Sequence, residues 1–305
     1  MADPEILIIG GGPAGLTAGI YASRAGHSTL LLEKEITGGQ MTKTTLIENY
    51  PGFAQPVNGF ELVQQMENQA RRFGCQIEFS AATALILTPS GIEVEATTGK
   101  YYPRTIIICT GTKSRSLDIP GEKELAGRGV SYCAVCDGPL YKDKEVAVIG
   151  GGDSALQEAD YLTRFCSRVH LIHRRDQFRA VKMLEERVRN NPQITLHLSH
   201  IATRINGKER LEDLELKNLA TGETKILPVA GLFIYIGLLP NTEWCSNVIQ
   251  LDEQGFILTD EKLQTNIPGV FSAGDVRKKE LRQIATAVGD GAIAAMNAHH
   301  FCLHK

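Results

Sequence analysis

Two apolar runs, each opening into glycines and followed by a helical pattern, lie 140 residues apart in the chain. They cover residues 6–9 and 146–149. Each copy continues to a second segment that is typical of a buried strand, at 28–33 and at 168–173. Such continuous runs are typical of strands that are buried on both faces of a parallel sheet. The pattern therefore predicts two units, each with the order strand, glycine turn, helix, strand.

Further strands complete both units. Residues 105–111 and 231–237 are apolar runs that end at glycine. Between the second and third strands of each unit, residues 92–95 and 214–217 alternate between apolar and polar. This alternation is typical of half-exposed antiparallel strands. We therefore predict an α/β fold of two Rossmann-like dinucleotide-binding domains, each carrying a small antiparallel β-meander.

The composition agrees with two soluble domains. At about 150 residues per domain, 305 residues suggest two of them. Hydrophobic residues make up 43% and charged residues 22%, and the net charge is -3. This charge provides no electrostatic reason to expect a nucleic acid or an anionic membrane as partner. No apolar run approaches the ~18 residues of a membrane span, so we expect a cytoplasmic protein.

The glycines of both copies have the spacing of a dinucleotide-binding fingerprint. The first copy presents Gly10, Gly12 and Gly15, and the second presents Gly150, Gly152 and Ala155 in the same places. A single such motif is weak evidence, because glycines also serve ordinary turns. Here the strand, the turn and the helix occur in order twice, which favours two sites where a pyrophosphate meets a helix N-terminus.

The two sites differ at the residue that follows the second strand. Counting 23 residues from the first glycine of each copy leads to Glu33 and to His173. A carboxylate binds a free ribose 2′-hydroxyl, as FAD has, and repels a 2′-phosphate. Arg174, Arg175 and Arg179 follow His173, and guanidinium groups bind phosphate by charge-assisted hydrogen bonds. The first site therefore favours FAD and the second NADPH; the alternative for the arginines is a solvated helix start.

The pair Cys133 and Cys136 is the strongest candidate for chemistry. Two intervening residues allow the sulfurs to form a reversible disulfide, and such motifs lower a thiol pKa. A structural zinc site needs four ligands, and the sequence has no second CxxC. Asp137 follows directly and could supply or take a proton, or could serve as a cap or turn residue. The other five of the seven cysteines are scattered, which favours a reducing compartment.

Four stretches together resemble the low-molecular-weight thioredoxin reductases, class II of the pyridine nucleotide-disulfide oxidoreductases. These are 127–138, which contains both cysteines, 150–155, 173–180 and 269–276. The resemblance implies two domains of the glutathione-reductase type, FAD, NADPH, a homodimer and a thioredoxin or thioredoxin-like protein as partner. Val135 stands where that family commonly has Thr, and Leu238 where a His often follows the glycine.

The resemblance also implies roles for individual residues. Cys136 should face the flavin, Cys133 should attack the partner's disulfide, and Asp137 should act as the acid and base. No metal site is expected. The predicted FAD-binding residues are Gly10, Gly12, Pro13, Ala14, Gly15, Glu33, Gly39, Gln40, Asn49, Thr110, Gly111, Gly274, Asp275, Arg282, Gln283 and Ile284. The predicted NADPH-binding residues are Gly150, Gly152, Asp153, Ser154, Ala155, His173, Arg174, Arg175, Arg179 and Gly237.

The position of the CxxC pair in the chain suggests how the domains are arranged and move. We expect an FAD-binding domain formed by 1–112 and 243–305, interrupted by an NADPH-binding domain at 113–242 that carries the cysteines. A disulfide packed on the flavin would occupy the space of the nicotinamide. We therefore expect the NADPH domain to rotate between half-reactions.

Electrons would then pass from NADPH to FAD, to the disulfide and on to the partner. Three other functions use many of the same features. They are a flavin-dependent dithiol oxidase, a ferredoxin-fed thioredoxin reductase, and a non-catalytic NADPH/FAD redox sensor. The oxidase and the ferredoxin-fed enzyme have little need for the arginines.

Overall fold

The computed structural model describes residues 3–43, 47, 49–89 and 91–304. The chain divides into two compact units. The first unit combines Met1–Lys113 with Leu239–Lys305, and the second is Ser114–Leu238. The second unit is therefore an insertion in the first.

A parallel sheet forms the centre of the first unit. Its strands, in the order in which the described residues hydrogen-bond, are β18 (Val270–Ser272), β7 (Thr105–Ile108), β1 (Ile6–Ile9), β2 (Thr29–Glu33) and β3 (Gln76–Phe79). β1, β2 and β7 are buried along their whole length, as expected for uninterrupted Ile and Leu runs in a covered parallel sheet. The unit also contains helices α1 (Pro13–Arg24), α2 (Gly59–Arg72) and α6 (Ile284–Leu303).

Small residues bring α1 and α6 into close contact. Gly291 of α6 lies so near α1 that a Cβ at this position would come within 2.2 Å of the Ala14 carbonyl oxygen. Buried alanines along α6, among them Ala294 and Ala298, continue this contact. The close approach anchors the beginning of α1, where the first glycine turn lies.

The second unit repeats this architecture. Within the described residues its parallel sheet has the order β12 (Ile194–Leu198), β11 (Arg168–His173), β10 (Glu145–Gly150), β16 (Gly231–Tyr235) and β9 (Val130–Ser131). Its helices are the short α3 (Ala134–Asp137), α4 (Asp153–Leu162) and α5 (Lys182–Asn190). Short 3-10 helices occur at 39–43 and 274–276 in the first unit and at 138–141 in the second.

Each unit carries an antiparallel meander. In the first it consists of β4 (Ala82–Thr88), β5 (Gly91–Ala96) and β6 (Gly99–Tyr101), and in the second of β13 (His200–Asn206), β14 (Asp213–Asn218) and β15 (Thr224–Pro228). The remaining strands, β8 (Thr112–Ser114) and β17 (Leu238–Pro240), lie where the chain leaves and re-enters the first unit. The predicted α/β fold with two Rossmann-like units and their meanders is confirmed. In the described part of the chain, none of the helices has the length and apolarity that crossing a bilayer requires.

Candidate redox and dinucleotide sites

The first glycine turn, residues 10–15, has a backbone that a ligand can approach closely. Gly10 has a φ of +100°, and a Cβ there would lie 2.6 Å from the Cys109 carbonyl oxygen. A Cβ at Gly15 would lie 1.9 Å from the Gly10 carbonyl oxygen. At Gly12, by contrast, no described atom lies within 4 Å of the Cβ position. Two glycines are therefore required by the fold, while Gly12 leaves open space beside the backbone at the start of α1.

This open backbone fits a pyrophosphate. α1 begins at Pro13, and its N-cap Gly12 has no side chain to cap the first N–H groups of the helix. Uncapped N–H groups at a helix N-terminus bind anions. Gly39 lies beside the turn, since a Cβ there would be 3.7 Å from the Gly12 Cα. Ala14, which was also predicted to bind FAD, is buried against Gly274 and Gly291.

Glu33 is fixed beside the same turn. It ends β2, is buried, and its Oε2 accepts the Gly11 N–H at 2.7 Å. Its Oε1 accepts the Glu35 N–H at 3.1 Å. Each carboxylate oxygen can accept more than one hydrogen bond, so both keep a lone pair for a ribose hydroxyl. The position fits the acidic residue of a dinucleotide site that takes an unphosphorylated ribose.

Asp275 has a buried carboxylate oxygen that a bound ligand could satisfy. Its Oδ1 is buried and finds no hydrogen-bond partner among the described residues. Burial raises the pKa of Asp275, against the lowering effect of the Lys279 and Arg282 charges. A buried oxygen without a partner is costly. A ligand hydroxyl would satisfy it, and the flavin's ribityl chain carries such groups.

The turn at Gly274 is held by an acid that the sequence analysis missed. Asp290 of α6 is buried, and its Oδ2 accepts the Gly274 N–H at 3.1 Å. The same oxygen accepts from Arg277 Nε at 3.0 Å and from Lys279 Nζ at 2.8 Å. Asp290 is the one acidic residue in an otherwise apolar and polar-neutral helix of 20 residues. That isolation is the sequence signal that could have revealed it.

Other predicted FAD residues are held by hydrogen bonds and ring contacts within the first unit. Asn49 Nδ2 donates to Gln283 Oε1 at 3.0 Å, and Gln283 caps α6 immediately before Ile284. The Arg282 guanidinium lies 4.1 Å from the centre of the Phe256 ring, and its Nε donates to the Asp275 carbonyl at 3.3 Å. Gln40 Nε2 donates to the Thr112 carbonyl at 3.0 Å.

Thr110 and Gly111 are tied to the returning chain by a residue that the sequence analysis did not single out, Asn241. Thr110 Oγ1 donates to the Asn241 carbonyl at 2.7 Å, and Asn241 Nδ2 donates to the Thr110 carbonyl at 2.8 Å. The Asn241 N–H donates to the Gly111 carbonyl at 3.0 Å. These bonds join the two segments of the first unit.

The second glycine turn, residues 150–155, has the same construction. A Cβ at Gly150 would lie 2.5 Å from both the Tyr235 carbonyl oxygen and the Ala155 Cβ. Gly152 has no described atom within 4 Å of its Cβ position and precedes α4 without a capping side chain. Asp153 Oδ1 accepts the Val181 N–H at 2.8 Å, and Ser154 is exposed. This turn therefore also offers open backbone to a pyrophosphate.

The arginine cluster, defined as Arg174, Arg175 and Arg179, is exposed beside this turn. Among the side chains that the structure describes, none forms an ion pair with these guanidinium groups. The Arg179 N–H donates to the Gly151 carbonyl at 2.7 Å, which places the cluster next to the turn. Three unpaired positive charges at this position fit a 2′-phosphate.

His173, in contrast, is buried between the turn and Phe178. A Cβ at Gly151 would collide with its ring, which stacks on Phe178 with centroids 5.5 Å apart. Burial, together with the neighbouring arginine charges, lowers the pKa of His173. The imidazole is therefore neutral near pH 7 and contributes packing rather than charge. Gly237, with a φ of +117°, lies beside Arg115.

The redox turn, defined as residues 131–137, contains a disulfide between Cys133 and Cys136. The Cys133 Sγ accepts the Cys136 N–H at 3.2 Å. The Ala134 N–H donates to the Tyr235 hydroxyl at 2.6 Å. Asp137 ends α3, and its Oδ2 accepts from Ser131 Oγ at 2.6 Å. Three hydrogen bonds that involve side chains thus hold this turn in one conformation.

The remaining cysteines are thiols. Cys75, Cys109, Cys166, Cys245 and Cys302 are all buried and free. Burial raises the pKa of Cys75 and of Cys166 to about 11 and that of Cys245 to about 12, so these thiols are poor nucleophiles. Within the described ranges, no group of three or more His, Cys, Asp and Glu side chains is arranged to hold a metal ion.

Comparison with known proteins gives one consistent result. Residues 4–291 match the family model described as pyridine nucleotide-disulphide oxidoreductase. A thioredoxin reductase of Listeria innocua is 43% identical over 298 residues, covering 97% of this chain and 93% of the relative. One of Bacillus subtilis is 44% identical over 300 residues, covering 97% and 94%. The crystal structure of thioredoxin reductase from Streptococcus pyogenes superposes with a TM-score of 0.88 at 40% identity, covering 99% of both chains. The chain therefore belongs to the pyridine nucleotide-disulphide oxidoreductase family, among the thioredoxin reductases.

Proposed function

We propose that this chain is an NADPH-dependent thioredoxin-disulfide reductase that uses FAD. The observation that carries the proposal is the Cys133–Cys136 disulfide, which lies in the same unit as a glycine turn bordered by the unpaired arginine cluster. Electrons would pass from NADPH to FAD, then to the disulfide, and finally to the disulfide of a thioredoxin-like protein. The thioredoxin reductase relatives support this reaction.

FAD is proposed for the first unit. Gly12 and the start of α1 would hold the pyrophosphate, Glu33 the adenosine ribose, and the free Oδ1 of Asp275 a hydroxyl of the ribityl chain. When bound, the flavin would supply two-electron transfer between nicotinamide and disulfide, while the protein supplies binding and orientation. Arg282 and Gln283, fixed at the start of α6, are the proposed neighbours of the flavin ring.

NADPH is proposed for the second unit. Gly152 and the start of α4 would hold its pyrophosphate, and the arginine cluster its 2′-phosphate. The arginines form no ion pair with a described side chain, so phosphate binding would not have to break one. This arrangement disfavours an oxidase and a ferredoxin-fed enzyme, neither of which needs a 2′-phosphate site.

The redox turn would perform the second half of the reaction by thiol–disulfide exchange. Cys133 is proposed to attack the partner's disulfide, Cys136 to receive electrons from the flavin, and Asp137 to supply and take protons. The five other cysteines are buried thiols, which agrees with work in a reducing compartment such as the cytoplasm. A homodimer is part of the proposal on the basis of the family resemblance.

Rotation of the NADPH domain stays a prediction. It is supported by the division of the chain: the redox turn belongs to the second unit and the first glycine turn to the first. A crosslink that held the domains with the disulfide at the flavin should allow one reduction and then stop turnover. Continued multiple turnover would contradict the rotation.

One experiment tests the proposed function. The purified protein should be yellow, should bleach when NADPH is added, and should reduce a purified bacterial thioredoxin with NADPH but far more slowly with NADH. Bleaching without thioredoxin-dependent turnover would contradict the substrate and favour the redox sensor. Oxygen consumption that a dithiol supports in the absence of NADPH would favour the oxidase.

A further inference from the structure

Ser131, the first residue of the redox turn, contacts both Cys133 and Asp137 through one hydroxyl. It ends strand β9, where it pairs with Phe233 of β16, and only 6% of it is exposed. Its Oγ accepts the Cys133 N–H at 3.1 Å and donates to the Asp137 Oδ2 at 2.6 Å. The Cys133 carbonyl oxygen, at 3.4 Å, is the other acceptor within reach.

The distances decide where the Ser131 proton points. A hydroxyl that donates to a carboxylate prefers 2.5–2.7 Å, and such a charge-assisted bond is about twice as strong as a neutral one. The contact with Asp137 has this length, whereas the contact with the Cys133 carbonyl is long for any O–H donor. The hydroxyl accepts the Cys133 N–H with a lone pair, so it can donate its single proton to Asp137 at the same time.

Other ionisable groups surround Asp137. Tyr141 of the 3-10 helix and Tyr235 of β16 both feel its charge, and burial is the main cause that raises their pKa values. Both tyrosines are therefore neutral near pH 7. From α4, Glu158 acts on Tyr235, and burial raises the pKa of Glu158 to about 7. Among the described residues, Ser131 is the side chain that donates a hydrogen bond to the Asp137 carboxylate.

We propose that Ser131 is a positioning residue that holds the Asp137 carboxylate at the redox pair during thiol–disulfide exchange. The inference rests on the proposed function. In that exchange the Cys133 thiolate attacks one sulfur of the partner's disulfide, forming a mixed disulfide and releasing the partner's other sulfur. The Cys136 thiolate then attacks Cys133 Sγ, which re-forms the Cys133–Cys136 bond and frees the second partner sulfur. Two electrons and two protons pass to the partner, and Asp137 carries the proton of Cys136.

The test compares pH profiles. The rate of NADPH-dependent reduction of a purified bacterial thioredoxin is measured from pH 5.5 to 9.5 for the wild type, Ser131→Ala, Ser131→Thr and Asp137→Asn. The limb of the profile that disappears in Asp137→Asn reports this carboxylate. Ser131→Ala should move that limb to higher pH by about one unit, because the ionised carboxylate loses a hydrogen-bond donor. Ser131→Thr keeps a hydroxyl and should retain the wild-type limb.

A second readout does not depend on turnover. The dithiothreitol-reduced protein is treated with iodoacetamide, and the pH dependence of Cys133 and Cys136 alkylation is followed by mass spectrometry. Ser131→Ala should shift this dependence in the same direction as the rate profile, with thermal unfolding recorded in parallel.

The outcomes separate the two proposals. Wild-type profiles in Ser131→Ala, with the limb lost in Asp137→Asn, would overturn the role of Ser131 and leave the proposed function intact. A shift in Ser131→Thr equal to that in Ser131→Ala would also overturn it, since the hydroxyl would then be irrelevant. If Ser131→Ala is unstable, the Thr variant and the alkylation profile decide. If Asp137→Asn instead kept every limb of the wild-type pH–rate profile, the proposed role of Asp137 as acid and base would be contradicted.

Discussion

The backbone N–H of Ala134 donates a 2.6 Å hydrogen bond to the hydroxyl of Tyr235, which lies 101 residues further along the chain. The same tyrosine ends β16, where its carbonyl oxygen lies against Gly150 of the second glycine turn. One residue therefore contacts both the redox turn and the proposed NADPH turn. The two turns belong to a single unit, so this contact fixes their relative position.

Removing the Tyr235 hydroxyl should loosen the redox turn. Tyr235→Phe leaves the part-buried Ala134 N–H without a partner, which should lower the free energy of unfolding by about 1–3 kcal/mol. The rate of thioredoxin reduction should fall more than the rate at which NADPH bleaches the flavin. Urea unfolding and stopped-flow absorbance measure the two effects. Tyr21→Phe, in the first unit, is the control, and equal losses in both variants would contradict the prediction.

Neutralising the arginine cluster should change the choice of nicotinamide cofactor. Arg174→Gln with Arg175→Gln removes charge-assisted bonds to a 2′-phosphate, so the KM for NADPH should rise about 10- to 100-fold. The KM for NADH should change little, because NADH has no such phosphate. Arg204→Gln, an exposed arginine of the second meander, is the matched control. An equal effect on both cofactors would refute the 2′-phosphate site.

Gly12→Ala should separate flavin binding from folding. The position has a φ of -73° and no described atom within 4 Å, so the apoprotein's free energy of unfolding should change by less than about 0.5 kcal/mol. A methyl group there would meet a pyrophosphate at the start of α1, and the Kd for FAD should rise roughly tenfold or more. Fluorescence titration of the apoprotein measures this affinity. Gly289→Ala, equally open and in the same unit, is the control and should bind FAD normally.

A buried histidine should make the second unit sensitive to acid. Nδ1 of His197 accepts from Lys225 Nζ at 3.0 Å, and its Nε2 faces Nδ1 of His170 at 3.1 Å. Burial, followed by the charge of Lys225, lowers the pKa of His197 to about 4. The folded state therefore disfavours protonation of His197 relative to the unfolded chain, in which a histidine has a pKa of ~6.5.

The stability that this histidine contributes is complete above pH ~6.5 and is lost as the pH falls from there to about 4. In His197→Gln the Tm should depend less on pH across this window, by at least ~2 °C. Differential scanning calorimetry between pH 7.5 and 4 measures the slope. His304→Gln, an exposed histidine at the end of the chain, should behave like the wild type. Parallel slopes in the wild type and His197→Gln would show that His197 carries no such effect.

The sequence by itself determined the duplicated architecture and located the candidate sites. Buried strands, glycine turns and the CxxC spacing are local patterns, so they can be recognised without knowing the fold. The contrast between Glu33 and the arginine cluster likewise depends only on counting from each glycine turn. The structure agrees with these local patterns because each involves residues close in sequence.

Tertiary structure alone decided which side chains support those sites. Tyr235 reaches Ala134 only because β16 lies beside β9 in the parallel sheet, and Asp290 reaches Gly274 because α6 packs against that turn. Ser131 and Asp137 are only six residues apart, yet their bond requires the chain to fold back at α3. Pattern along the chain records which residues are buried, whereas a hydrogen bond between side chains requires atoms placed to within a few tenths of an ångström. Only the packed fold sets such distances.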